Sequence, residues 1–317
     1  MRLRTLIKLA ATCLPLMGIS AQAETVATFT RNPSNPILRG VRAGSEIAAI
    51  SLNAEIVHFI PRSESVGDQL GLIDEVVRSK PDAVVLAPFD PKEMIPAVDK
   101  LNAAGIAVTN VNERLSGGKV VAYVGTDDYQ LALSTARYLF NAMGRKGNVV
   151  VLEGPENLPT SVARVTAFRD AIRQYPDIKL VASKSANYAR QPAVDVMRTF
   201  LRSYPQIDGV LAANDPMAIG AIEALKAANK RALVVGINAS REVIDLVKSG
   251  DLIGSGDYNG FIQGCIATQI AIRNLRKQAV PKEVSLKAIV MDKSNYQGYE
   301  TPLDRRSCPT VESVSTN

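Results

Sequence analysis

Tryptophan is absent from the 317 residues, and histidine occurs once. A lone histidine, His58, and three cysteines far apart in the chain form no group with metal-ligand spacing, so a zinc centre has no support. His58 lies inside "AEIVHFI", where it reads as a packed strand residue. The chain also lacks a Walker-type phosphate loop, a G-x-S-x-G elbow and a dinucleotide fingerprint, which removes the usual signatures of phosphoryl transfer, serine hydrolysis and hydride transfer. No run of lysine and arginine stands among interleaved aromatics, so nucleic acid is not an expected partner.

Long uncharged runs are scarce as well, and the one that stands out is at the start. Arg2, Arg4 and Lys8 precede the apolar "LAATCLPLMGIS", and Ala21-Gln22-Ala23 supplies a small-x-small cleavage pattern. The apolar part is well short of the roughly 20 residues that span a bilayer. Residues 1–23 therefore read as a secretory signal peptide, with the mature chain expected to begin at Glu24 and to reside in the periplasm. Cys13 sits behind "LAAT", a poor lipobox, so a lipid anchor is not expected. The segment carries three of the 37 basic residues and no acid, so the remainder has 34 basic against 31 acidic residues, a net charge of +3 rather than +6. Much of the apparent basicity belongs to targeting.

Two cysteines remain, Cys265 and Cys308. In an oxidising compartment they can pair across a long loop; alternatively Cys265 is buried and free while Cys308 lies in the polar tail "RRSCPTVESVSTN". The sequence leaves both open.

From Thr25 onward, short β-branched runs alternate with longer segments of helical period. Ten strands are expected: "TVATFT", "AEIVHFI", "DAVVLAP", "IAVTNV", "VVAYVG", "NVVVLEG", "IKLVAS", "IDGVLAAN", "LVVGIN" and "LIGSGDY". In "IDEVVRSK" and "AVDVMRTFLRSY" apolar residues recur every three or four positions, the pattern of a helix packed by one face on a sheet. Repeated strand–helix–strand units predict parallel sheets covered on both sides. The units fall into two comparable blocks, one closing near "AYVGTDD" and the other opening at "GRKGNVVVLEG", which favours two doubly wound sheets over one barrel.

In open parallel sheets, ligands bind beyond the carboxyl ends of strands. Those positions carry Thr30 to Asn35, Phe89-Asp90, Asn112-Glu113, Asn214-Asp215, Asn238 and Asp257-Tyr258. Planar amides and carboxylates dominate, with no nucleophile and base among them. Such groups bridge neighbouring hydroxyls, so the set suits a polyhydroxylated ligand. Asp215-Pro216 and Asp90-Pro91 each read as a cap followed by proline at a helix start, which would free the amide of Asn214 to face a cleft.

The order and spacing of "VATFTRNPSNPILRGV", "PDAVVLAPFDP", "VARVTAFRDA", "AANDPMAIGAIEAL", "VVGINASREV" and "IGSGDYNGFIQG" resemble the periplasmic sugar-binding proteins of the ribose-binding type, which feed ABC transporters. The resemblance implies an α/β fold of two doubly wound, Rossmann-like lobes joined by a three-strand hinge, with the ligand between them. Lobe one would comprise residues 24–126 and 257–286, lobe two 127–256 and 287–299, with 300–317 as a tail. It implies a ligand set of Thr30, Asn35, Phe89, Asn112, Glu113, Arg164, Tyr188, Asn214, Asn238, Asp257 and Tyr258, no cofactor, and a monomer working with an inner-membrane permease or with a chemoreceptor or sensor. The chain departs from the pattern at Ile37-Leu38, where relatives often carry two aromatics that stack on the sugar, and at Glu113, where arginine is common. Phe29, Phe89 and Tyr188 are the rings available in compensation. The departures favour a pentose, inositol or alditol. An enzyme would need an acid and a base, and Glu113 with Asp257 meets that need by position alone. A sugar-responsive repressor would carry a DNA-reading domain where the signal segment stands.

Overall fold

The computed structural model describes residues 23–31, 35–63 and 65–314. The expected signal segment, apart from Ala23, lies outside the described residues. Among them, the chain runs β1 (Thr25–Phe29), α1 (Pro36–Ser51), β2 (Glu55–Phe59), α2 (Val66–Gly71), α3 (Ile73–Ser79), β3 (Ala83–Leu86), α4 (Ile95–Ala103), β4 (Ala107–Val111) and β5 (Tyr123–Thr126). It continues through α5 (Asp128–Ala142), β6 (Gly147–Glu153), α6 (Pro159–Arg173), β7 (Ile178–Ser185), α7 (Arg190–Ser203), β8 (Gly209–Ala212), α8 (Asp215–Ala227), β9 (Leu233–Ile237), α9 (Ile244–Ser249) and β10 (Gly254–Asp257). The last part contains α10 (Gly260–Leu275), β11 (Glu283–Leu286), β12 (Ile289–Asp292), α11 (Gln297–Glu300) and α12 (Val311–Val314).

These strands form two six-stranded sheets, ordered β2-β1-β3-β4-β5-β11 and β7-β6-β8-β9-β10-β12. All pairings are parallel except that of β12 with β10. The expected two-lobed α/β fold is present, with two strands beyond the ten expected: β11 and β12, each at a sheet edge. The central strands β3 and β8 are buried along their whole length, which is why they read as unbroken apolar runs. Each sheet has its own core. Phe29 belongs to the first, at 0% exposure, so it is a packing residue and is not available to stack on a ligand.

The strand order reverses beside β1 in one sheet and beside β6 in the other. Chains leaving neighbouring strands there diverge to opposite faces and leave a crevice at the carboxyl ends. The two crevices face the same cleft. Three chain segments run between the sheets: β5 to α5, β10 to α10, and β11 to β12. They are tied together, since Thr126 Oγ1 donates to the carbonyl of Tyr258 at 2.9 Å and Asn259 Nδ2 donates to that of Lys287 at 3.4 Å.

Helices α1 and α10 pack backbone to backbone against the first sheet. A β-carbon at Gly44 would stand 2.0 Å from the carbonyl oxygen of Phe261, and one at Gly264 would stand 1.9 Å from that of Val41, so only glycine permits this approach. Beside it Cys265 and Cys308 form a disulfide, which realises the paired alternative and fastens the tail to α10. Closing a loop of 43 residues stabilises the chain by about 4 kcal/mol in the chain-entropy account. His58 is a strand residue as expected, but an exposed rather than a packed one: Nδ1 shares a hydrogen bond with Thr28 Oγ1 at 2.5 Å, and Nε2 meets Glu46 at 2.7 Å.

Candidate functional site

Between the sheets lies a cavity of about 580 Å³. Nine of the eleven expected site residues line it: Asn35, Phe89, Asn112, Glu113, Arg164, Tyr188, Asn214, Asn238 and Tyr258. Thr30 and Asp257 do not. Thr30 is fully buried behind the wall, where its hydroxyl accepts from Arg42 Nη1 at 2.9 Å. Asp257 turns toward the chain crossings, accepting from the backbone N–H of Asn259 at 2.7 Å and the hydroxyl of Tyr299 at 2.9 Å, and burial raises its pKa to about 6. Of the pair at that strand end, Tyr258 is the cavity residue.

The second sheet supplies the cation. Arg164 projects from the middle of α6 and is 4% exposed, so it is not a solvated helix charge. Its Nε donates to Asp128 Oδ1 at 2.7 Å and its Nη1 to the carbonyl of Ala213 at 2.8 Å. Burial opposes the charge, but Tyr188, Asp128 and Tyr258 outweigh it and hold the guanidinium protonated. The fork lies 5.0 Å from the ring centre of Tyr258 and 5.6 Å from that of Tyr188.

Asn214 takes the cap role expected of Asp215 while still lining the cavity, and Asp215 is buried away from it. Asn214 caps α8, its Oδ1 accepting from Met217 N at 3.0 Å, while its Nδ2 donates to the carbonyl of Tyr188 at 2.9 Å. Asp215 occupies the first helical position with Pro216 second, and its buried carboxylate accepts from Ser255 Oγ at 2.5 Å and Ser240 N at 2.7 Å. Proline is tolerated anywhere in the first turn, so the dipeptide alone leaves the cap uncertain by one residue. Asp90 accepts from the N–H groups of Lys92 and Glu93, but it caps a turn rather than the helix start expected there, since α4 begins only at Ile95. Asn35 likewise caps α1 while lining the cavity.

The first sheet contributes acceptors. Asn112 Oδ1 and Glu113 Oε1 are buried without a hydrogen-bond partner, at residues 5% and 2% exposed. Burial pushes the Glu113 carboxyl above its ordinary pKa, against the pull of Arg31, whose Nη1 lies 3.7 Å away. Asn112, Tyr188 and Asn238 sit at positive φ, 67°, 57° and 131°. Such strain is tolerated where surrounding structure holds it, and here it aims three side chains from strand ends into one space.

Sequence reasoning missed Arg31, Thr160 and Asn187, which also line the cavity, and Asp128 behind it. Arg31 lay within the expected Thr30 to Asn35 strand end. No local signal marks the others, since their roles depend on neighbours far along the chain. A smaller cavity of about 440 Å³ adjoins and shares Asn112, Glu113 and Thr160. Among the described residues, no group of three or more His, Cys, Asp or Glu residues could hold a metal ion, and no helix is long and apolar enough to cross a membrane.

Residues 26–279 match the family model described as the periplasmic binding protein domain. The chain belongs to the periplasmic binding protein family. Among curated members of this family, a xylitol-binding protein of Mycolicibacterium smegmatis is 32% identical over 70% of this chain and 64% of its own length, a little under two thirds. A D-apiose import binding protein of Paraburkholderia graminis is 32% identical over 78% of this chain and 80% of its own. The crystal structure of an ABC transporter periplasmic solute-binding protein from Actinobacillus succinogenes, with bound D-allose, superposes at a TM-score of 0.83. Identity is 31%, covering 87% of this chain and all of that one. The family is one of binding proteins rather than enzymes, and the resemblance read from the sequence is borne out.

Proposed function

We propose that this periplasmic binding protein is an exported receptor that captures a sugar or polyol between its two lobes and delivers it to an ABC importer. The observation that carries this reading is the pair of buried acceptors that make no hydrogen bond, Asn112 Oδ1 and Glu113 Oε1, in the same cavity as the anchored donor Arg164. Leaving such acceptors dry costs about 1–3 kcal/mol each, which ligand hydroxyls would offset. Hydroxyls donate and accept at once, so one polyol can serve both walls. The names of relatives, which refer to xylitol and D-apiose, and the D-allose-bound structure support that ligand class.

A pentose, inositol or alditol fits best. The positions where relatives stack aromatics hold Ile37 and Leu38; Leu38 is at 0% exposure and does not line the cavity. Residues 1–23 act as the export signal, leaving Glu24 first. The protein works as a monomer, and its lobes, residues 24–126 with 257–286 and 127–256 with 287–299, close about the three chain crossings when ligand binds. The closed form is presented to a permease; a membrane sensor or chemoreceptor reading the same closure is the alternative output.

A thermal-shift screen of pentoses, hexoses, inositols, alditols and sugar acids tests the reading. Ligand at 100 times its dissociation constant is expected to stabilise the fold by about 2.7 kcal/mol. No shift with any neutral polyol would sink it. Small-angle scattering tests closure, since ligand should make the particle more compact.

A further inference from the structure

Asp128 is the first residue of α5, immediately after the β5 crossing, and it touches two residues of the cavity at once. Its Oδ1 accepts from Arg164 Nε at 2.7 Å, and its Oδ2 accepts from the hydroxyl of Tyr258 at 3.1 Å. Its side chain is 13% exposed, and that of Arg164 5%. Tyr258 belongs to the second crossing, and its carbonyl accepts from Thr126 Oγ1 on the first crossing and from Gln263 Nε2 at 2.7 Å on α10. Gln263 Oε1 in turn accepts from the backbone N–H of Asn112 at 3.2 Å. An unbroken chain of hydrogen bonds thus joins Asn112 on one wall to Arg164 on the other, and it passes through two of the three crossings.

We infer that Asp128 is a positioning residue of the binding site: it fixes the Arg164 fork toward the cavity and clasps it to Tyr258 on the crossing strand. Three features lead there. An arginine side chain has many rotamers, and ordering it without help would weaken every bond it makes to ligand. The carbonyl of Ala213 restrains only one N–H, whereas the bond at Nε sets the plane of the whole guanidinium. The same carboxylate restrains the ring that packs against the guanidinium, so a shift of Arg164 on engaging ligand is felt at the crossing.

The inference rests on the sugar-receptor reading for its ligand arm only, and a ligand-free arm decides it separately. In ¹⁵N-labelled protein, an arginine Nε–H buried against a carboxylate exchanges slowly with water, and Arg164→Lys identifies the signal. Asp128→Ala is expected to abolish the slow-exchanging signal. Should that variant fail to fold, Asp128→Asn, which keeps the shape and removes the charge, is expected to shift it. An unchanged signal in the folded variant overturns the inference.

In the ligand arm, xylitol, D-ribose and myo-inositol are titrated calorimetrically into the parent, Asp128→Asn and Tyr258→Phe. For the compound the parent binds, Asp128→Asn should weaken affinity by about tenfold to a hundredfold. Tyr258→Phe, which removes one half of the clasp, should cost less. Parent-like affinity in Asp128→Asn overturns the positioning role. If the parent binds none of the three, the sugar-receptor reading is what suffers, and the arginine signal still decides the role of Asp128.

Discussion

The two walls of the cleft are built on opposite plans. On the second-sheet wall Arg164 and Asn214 are already engaged, Arg164 with Asp128 and Ala213, Asn214 with Met217 and Tyr188. On the first-sheet wall Asn112 and Glu113 each keep a buried acceptor without a hydrogen bond, Glu113 facing Arg31 only at ion-pair distance. A preassembled wall loses little order when ligand arrives, while a wall with unmet acceptors gains most from ligand hydroxyls. The same plan should divide the effects of mutation. Substitutions on the engaged wall should damage folding and binding together, and those on the waiting wall should damage binding alone.

The largest effect is expected at Arg164. Arg164→Ala strands the mostly buried carboxylate of Asp128, and breaking a buried pair in this way costs about 3–5 kcal/mol of stability. Lost bonds to ligand should cost a further 2–5 kcal/mol of affinity, roughly 30-fold to several-thousand-fold. Denaturant unfolding and calorimetric titration measure the two separately. A folded variant with parent stability would erase the contrast between the walls.

Next in size is a pH effect at Asp215, under the same wall. Burial raises its pKa to about 6, against the pull of the Ser255 and Ser240 bonds. The folded chain therefore holds this proton more tightly than the unfolded chain, whose carboxyl titrates near its ordinary 3.8. The resulting stabilisation is full below about pH 4 and is lost as pH rises through about 6, a change on the order of 3 kcal/mol. In Asp215→Asn that portion of the pH–stability curve should flatten. Equal slopes in parent and variant would show that the group titrates normally.

The engaged wall was also the harder to read from sequence. Strands such as "VVVLE" and "AVVL" announce themselves because burial on both faces demands continuous β-branched and aliphatic residues. The two strands that escaped notice, β11 and β12, are four-residue edge strands: exposed Glu283 and Ser285 interrupt the apolar signal of β11, and β12 offers only three apolar residues before Asp292. Asn112, Glu113, Asn214 and Asn238 were legible because a strand end is a local feature. Arg164 was placed only through the family resemblance, since its partner Asp128 lies 36 residues away and nothing in α6 separates it from a surface arginine. The disulfide was legible as a possibility; the fold decides it by bringing the two Cα atoms to 5.5 Å.

A smaller effect, with a different signature, is expected at Glu113 on the waiting wall. Glu113→Gln keeps the side-chain volume and removes a carboxyl that burial already disfavours in its charged form. Stability should hold or rise slightly, while the loss of a strong acceptor should weaken ligand binding by about 1–2 kcal/mol. Binding down with stability unchanged is the pattern that sets this wall apart. A variant that loses both in proportion would mean that Glu113 is fixed in advance, chiefly by Arg31 at 3.7 Å, and the two walls would be alike.

The smallest expected effect separates two duties of one residue. Asn214 Oδ1 caps α8, and its Nδ2 holds the carbonyl of Tyr188, a residue kept at φ 57°. Asn214→Ser retains a good cap and loses the amide; Asn214→Ala loses both. Losing the cap should cost about 1 kcal/mol, so the alanine variant should be the less stable of the two by roughly that amount. Releasing the Tyr188 carbonyl frees the turn that carries the Tyr188 ring into the cavity, so both variants should bind less tightly, and to a similar degree. Stability is read by denaturant unfolding and affinity by titration with the ligand found in the screen. If serine matched alanine in stability, the cap would contribute nothing measurable. The preassembly of this wall would then rest on the Asn214–Tyr188 bond and the Arg164 clasp, and the amide of Asn214 would be held for the cleft alone.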